Sequence, residues 1–139
     1  MYYVNRGQIA VRLDAVPAIA ATLQSLSEGW QGTMLEGLAQ ERALHLAIEI
    51  VTDVGSYLID GFIMRDASSY EDIIEITGEA GAFPQNMQPA LIELVKLRKP
   101  LVQEYFHWSR SELHPLTESL AAILPVYKQS VEQYLEREL

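Results

Sequence analysis

No cysteine occurs among the 139 residues, which excludes a disulfide framework, a thiol nucleophile and thiolate metal ligands. Positive charge is also scarce. Ten Lys and Arg against nineteen Asp and Glu leave a formal net charge of -9, a balance that does not suit binding nucleic acid over the whole surface. A phosphate-cradling glycine loop, zinc-ligand spacings and a serine-nucleophile motif are all missing. So are alternating strand patterns, internal repeats and low-complexity tracts. The most apolar region, Leu44 to Met64, is interrupted by His45, Glu49, Asp53 and Asp60, which argues against a bilayer span. The N-terminus Met1-Tyr2-Tyr3-Val4-Asn5-Arg6 has no charged-then-apolar leader pattern. The expectation is a cytoplasmic protein without membrane association.

What is present is helical periodicity. With 49% hydrophobic residues the chain can bury a sizeable core, and its length suits one domain over residues 1–139. Ile9, Leu13, Val16, Ala20 and Leu23 define a first helix that Pro17 is expected to bend. A glycine-punctuated loop, Ser27 to Gly32, precedes a long second helix from about Met34 to Ile63. The stripe of this helix, Leu44, Ile48, Val51, Gly55, Leu58 and Phe62, is widened by Ala43, Ala47, Ile50 and Val54. Such a helix must be covered on most sides by its own bundle or by a partner chain. Ser69-Tyr70-Glu71-Asp72 opens a short third helix in capping-box fashion, and Gly78 to Pro84 reads as a loop. The fourth helix carries Met87, Leu91, Leu94, Leu101 and Tyr105, with Pro89 in its first turns. The fifth carries Leu116, Leu120, Ile123, Tyr127, Val131 and Leu135, with a bend expected at Pro125. The architecture expected is all-α, an up-down bundle of four long helices and one short one.

Chemistry concentrates in Leu94-Val95-Lys96-Leu97-Arg98-Lys99-Pro100-Leu101-Val102-Gln103-Glu104-Tyr105. On an undistorted helix the five steps from Arg98 to Gln103 turn through about 500°, leaving the two side chains about 140° apart. Pro100 removes a backbone donor and disfavours helical geometry at Lys99, so a kink there would re-aim both toward one place. A two-fold dimer would instead bring two copies of the segment to a shared cleft. Lys96, Arg98, Lys99 and Arg110 form a small basic group on an acidic body, suited to contacting a few phosphates or simply to a solvated helix face.

This segment resembles the signature of HepT-like HEPN domains: Arg-Asn, two or three apolar residues, His, any residue, Tyr. Here Lys99 stands at the asparagine and Gln103 at the histidine. The run Asp60-Gly61-Phe62-Ile63-Met64-Arg65-Asp66, with Ser69-Tyr70-Glu71-Asp72-Ile73, is similar to a branch of that family with glutamine at the histidine position. The resemblance spans most of the chain. It implies a homodimeric helical bundle whose paired motifs line an interface cleft for metal-independent RNA cleavage, with no cofactor and no metal. It also implies that Arg98 binds the scissile phosphate, that Tyr105 is the motif tyrosine, and that the protein is the toxin of a bacterial toxin–antitoxin pair. A nucleotidyltransferase antitoxin would be the partner able to modify that tyrosine. Attack by the RNA 2'-hydroxyl needs a proton acceptor near neutral pH, and a glutamine amide does not titrate, so the motif is degenerate and catalysis is expected to be weakened or lost. His107, one turn beyond Gln103, is the nearest substitute base, and His45 is a remote second.

Each of these residues also has a plainer reading. His107 is then a surface histidine beside Trp108, Arg98 an ion-pair partner of Glu49 or Asp53, and Tyr105 a core residue with its hydroxyl at the rim. Arg42, His45, Glu49 and Asp53 share one face of the second helix. They form either the opposite wall of the cleft or a polar seam of local pairs. Two rival functions follow. One is a non-enzymatic interaction module using the apolar second helix. The other is a carboxylate-bridged dimetal bundle, prompted by Glu104-Tyr105-Phe106-His107, whose second Glu-x-x-His is lacking: Glu41 and His45 are four apart, Glu112 and His114 two apart.

Overall fold

The computed structural model describes residues 2–139. The long pattern at the N-terminus is divided between α1 (Arg6–Leu13) and α2 (Val16–Gly29). The break falls at Asp14-Ala15 rather than inside a helix at Pro17, because Pro17 occupies the first turn of α2, where a missing N–H costs nothing. By length and composition alone Arg6–Gly29 would suffice to cross a membrane. Here its apolar residues, Ile9, Leu13, Val16, Ile19 and Leu23, are buried in the core.

Helix α3 (Met34–Gly61) begins with a complete capping box: the Thr33 hydroxyl accepts from the Glu36 N–H, and the Glu36 carboxylate accepts from the Thr33 N–H. It is the axis of the bundle and packs against α1, α2, α4 (Tyr70–Glu79) and α5 (Gln88–Lys96). Its sides are therefore covered within the monomer, which removes the wide apolar face that an interaction module would have used. Gly55 lets α4 approach closely, since a Cβ there would collide with the Ile73 side chain. Only Met34, Leu35 and Leu38, in its first two turns, leave large apolar groups exposed.

Helix α6 (Pro115–Glu138) closes the bundle, chiefly against α2, and continues through Pro125. One cluster of buried side chains runs from Ile9 to Leu135 and draws on α1, α2, α3, α4, α5 and α6. The order is the expected all-α bundle, with no strand among the described residues.

Candidate functional site

The fourth helix does not run on to Tyr105. After α5 comes a π-helical turn, Lys99–Gln103, and then a single 3-10 turn, Tyr105–His107. Pro100 explains the change. It has no N–H for the Lys96 carbonyl, and its ring crowds that carbonyl. Hydrogen bonding resumes with Leu101 N–H to Leu97 O at 2.9 Å and then widens to Glu104 N–H to Lys99 O at 3.0 Å. In a turn closed over five residues, positions five apart stack much as positions four apart do in an α-helix. A turn of this width reduces the divergence that a regular helix would impose on positions five apart, such as Arg98 and Gln103. Leu101, buried, anchors the turn, which packs on α3.

Arg98 is half-buried and lies over the ring of Tyr70, with its guanidinium carbon 4.7 Å from the ring centroid. Among the described residues no carboxylate lies within ion-pair distance of it. The expected alternative of pairing with Glu49 or Asp53 is not realised, because both are engaged elsewhere. Arg12 of α1 holds Asp53 at 2.9 Å. Glu49 faces the ring of His45 at 3.4 Å, and His45 in turn meets Arg42 at 3.2 Å. The α3 face therefore carries a seam of local pairs, and no hydrogen bond links it to Arg98.

Lys99, Gln103 and His107 are exposed. Tyr105 is 52% exposed rather than packed in the core, and Phe106 beside it is 66% exposed. The 3-10 turn throws the tyrosine outward where a continued helix would have buried it. The rings of Tyr105 and Phe106 meet edge-on at 5.6 Å, and Phe106 meets His107 at 4.6 Å. No group of three or more His, Asp or Glu gathers in metal-binding fashion among the described residues, so Glu104 and His107 lack the companions of a dimetal centre.

The turn is held from behind by Arg110. Its guanidinium lies 2.8 Å from Glu41 of α3 and donates to the Tyr105 carbonyl at 3.1 Å. That contact needs Gly37, since a Cβ there would overlap the Arg110 carbonyl. Arg110 is therefore a brace, and the basic group reduces to Lys96, Arg98 and Lys99. The rest of the connection is fixed by Gln40, which is fully buried. Its side-chain oxygen accepts from the His114 N–H and the Thr117 hydroxyl, and its amide donates to the Glu112 carbonyl.

His114 caps α6: its Nδ1 accepts from the Leu116 N–H at 3.0 Å while its ring stacks on Trp108. Burial lowers its pKa, against the opposing pull of Glu93. At the start of α4, Arg65 grips Asp72 through two 2.8 Å bonds, and the Ser68 N–H and hydroxyl add two more. The Arg65 hydrogen bonds, with those of Ser68, hold the Asp72 carboxyl far below the usual carboxylate range. This clamp fixes the turn that presents Tyr70. Of these groups, the sequence alone marks Tyr70 as a helix start within the family-like run and Arg110 as one of four basic side chains, and gives neither a contact. The contacts that give them roles span 28 and 69 positions of chain.

Comparison with known proteins places the chain in a family. The chain is 36% identical over 139 residues to the Bacillus subtilis (strain 168) protein named "Putative RNase YutE", covering all of this chain and 95% of that one. A solved structure of YutE, described as a cytosolic protein of unknown function from Bacillus subtilis, superposes with a TM-score of 0.90 at 35% identity, covering 100% of this chain and 96% of that one. The family model described as "Ribonuclease HepT-like" matches residues 13–133. The chain belongs to the HepT-like ribonuclease family.

Proposed function

We propose that this protein is a cytoplasmic, homodimeric RNA-binding member of the family, the toxin-type half of a pair, with cleavage attenuated by Gln103. The observation that carries the reading is a guanidinium without a counter-ion, set at the mouth of a proline-induced wide turn. A carboxylate partner would compete with a phosphate for the same N–H groups, and Arg98 has none. In cleavage, the RNA 2'-hydroxyl attacks phosphorus to form a 2',3'-cyclic phosphate as the P–O5' bond breaks, with water taking the hydroxyl proton and supplying one to the departing O5'. Arg98 holds the phosphate and stabilises its added charge. Gln103 orients the hydroxyl by hydrogen bonding but does not take its proton.

Two features support pairing of copies. Val102, Tyr105 and Phe106 stand exposed on the motif segment, and Met34, Leu35 and Leu38 stand exposed at the start of α3, which Arg110 ties to that segment through Glu41. A second copy laid over this surface would bring two Arg98 side chains to one groove. The exposed phenol of Tyr105 is open to modification, which supports control by a nucleotidyltransferase antitoxin.

The test is incubation of end-labelled single-stranded RNA with the purified protein, Arg98→Ala and Gln103→His. Restoring an imidazole should raise cleavage by about 10²–10⁴, and Arg98→Ala should abolish it. Strong cleavage by the unaltered protein that ignores Arg98 would remove the proposed site.

A further inference from the structure

Arg98 sits at the end of α5, yet the group that receives it belongs to a different helix. Tyr70 is the first residue of α4, and its ring lies under the guanidinium at 4.7 Å. Tyr70 is 42% exposed and walls a shallow depression of about 280 Å³ between Ala67 and Ile73. Its backbone is fixed on both sides. Ser69 caps the helix by accepting from the Asp72 N–H, and Asp72 is clamped by Arg65 and Ser68. So much fixation around an exposed ring calls for a use.

The chemistry of the contact supplies one. A long arginine side chain on an exposed turn samples many rotamers, and each costs entropy to fix when a phosphate arrives. A carboxylate would hold it still, but would occupy its donors and cancel its charge. An aromatic face attracts the cation through the ring quadrupole and leaves the N–H groups free for phosphate oxygens. We propose that Tyr70 is a positioning residue: an aromatic shelf on α4 that pre-orders the Arg98 guanidinium for an RNA phosphate without neutralising it. The assignment rests on the reading of Arg98 as the phosphate contact, and adds to it a residue outside the motif segment.

A double-mutant cycle tests it. RNA affinity is measured with a fluorescein-labelled oligoribonucleotide for the full chain, Tyr70→Leu, Tyr70→Phe, Arg98→Ala and the Tyr70→Leu/Arg98→Ala pair. Tyr70→Leu should weaken binding about two- to fivefold, the range of an exposed cation–π contact. Tyr70→Phe, which keeps the ring face, should bind like the unaltered protein. In the Arg98→Ala background Tyr70→Leu should do nothing further. Side-chain 15N–1H spectra give a readout free of RNA: the Arg98 Nε–H resonance should move when the ring becomes leucine and stay when it becomes phenylalanine. If Arg98→Ala weakens binding and Tyr70→Leu does not, the shelf is wrong and the site stands. If Tyr70→Leu weakens binding equally with and without Arg98, Tyr70 acts on its own and the proposal is overturned. If Arg98→Ala leaves binding intact, the site itself falls and the shelf with it.

Discussion

Two charged regions of this molecule look alike in one dimension and differ in three. Along α3, Arg42, His45, Glu49 and Asp53 recur at helical spacing, and each finds a partner: Arg42 with His45, His45 with Glu49, and Asp53 with Arg12. On the turn after α5, Arg98 finds an aromatic ring and no anion. The first region has spent its charge inside the fold. The second keeps its charge without an anionic partner. Function is better sought where a cation is held but not neutralised than where charges are most numerous.

The sharpest way to break this contrast is at Arg110, the brace between the two regions. Arg110→Ala leaves Glu41 half-buried without its partner and frees the Tyr105 carbonyl, so stability should fall by about 1–3 kcal/mol. RNA affinity should fall with it, because the turn loses its backing. Urea unfolding and binding, measured together, check this. Unchanged stability would mean that Glu41 and Arg110 are not a working pair.

Next in size is acid. The folded-state pKa of His114 lies below its unfolded value of about 6.5, so the unfolded chain binds more protons. The stability tied to its neutral ring is complete above about pH 6.5 and is lost as pH falls through the lower folded value. Protonation also turns the Nδ1 acceptor into a donor facing the Leu116 N–H, which cancels a cap worth about 1 kcal/mol. Urea midpoints between pH 7.5 and 5 should therefore drop. His114→Asn, which keeps a capping oxygen and does not titrate, should flatten that part of the profile.

A smaller effect is expected at Ile63, a β-branched residue at φ 54 where α3 ends. Its side chain is exposed, so little packing offsets the left-handed strain. Ile63→Gly should raise stability by about 1 kcal/mol in thermal or urea melts. The smallest expected effect is on the seam. Asp53→Asn should cost less than about 1 kcal/mol, the usual range for a partly exposed pair, and should leave RNA affinity unchanged.

The helices were legible because burial writes a periodic signal: α3 and α6 fall where their apolar stripes fall. A single first helix bent at Pro17 is what the sequence suggests, and the structure instead has two helices parted at Asp14-Ala15, because proline in a first turn is compatible with a helix. Pro100 marked the distortion in the motif, and backbone accounting explains why it became a π turn. What the residues could not show was that Tyr105 would be thrown outward, since Leu94, Leu101 and Tyr105 keep a core-like register that only the wide turn breaks. Nor could they show that Tyr70 would lie beneath Arg98, because α4 and α5 are brought together by packing rather than by spacing. Resemblance to the family found the segment, and the fold supplies the ring of Tyr70 beneath its arginine.

The most direct measurement is the salt dependence of RNA binding for the unaltered protein, Arg98→Ala and Asp53→Asn. A guanidinium that neutralises one phosphate of a single strand contributes about 0.7 to the slope of log affinity against log salt. The slope should shrink by about that amount for each Arg98 of the pair that meets a phosphate in Arg98→Ala, and stay unchanged for Asp53→Asn. Parallel lines for the unaltered protein and Arg98→Ala would mean that this cation meets no phosphate.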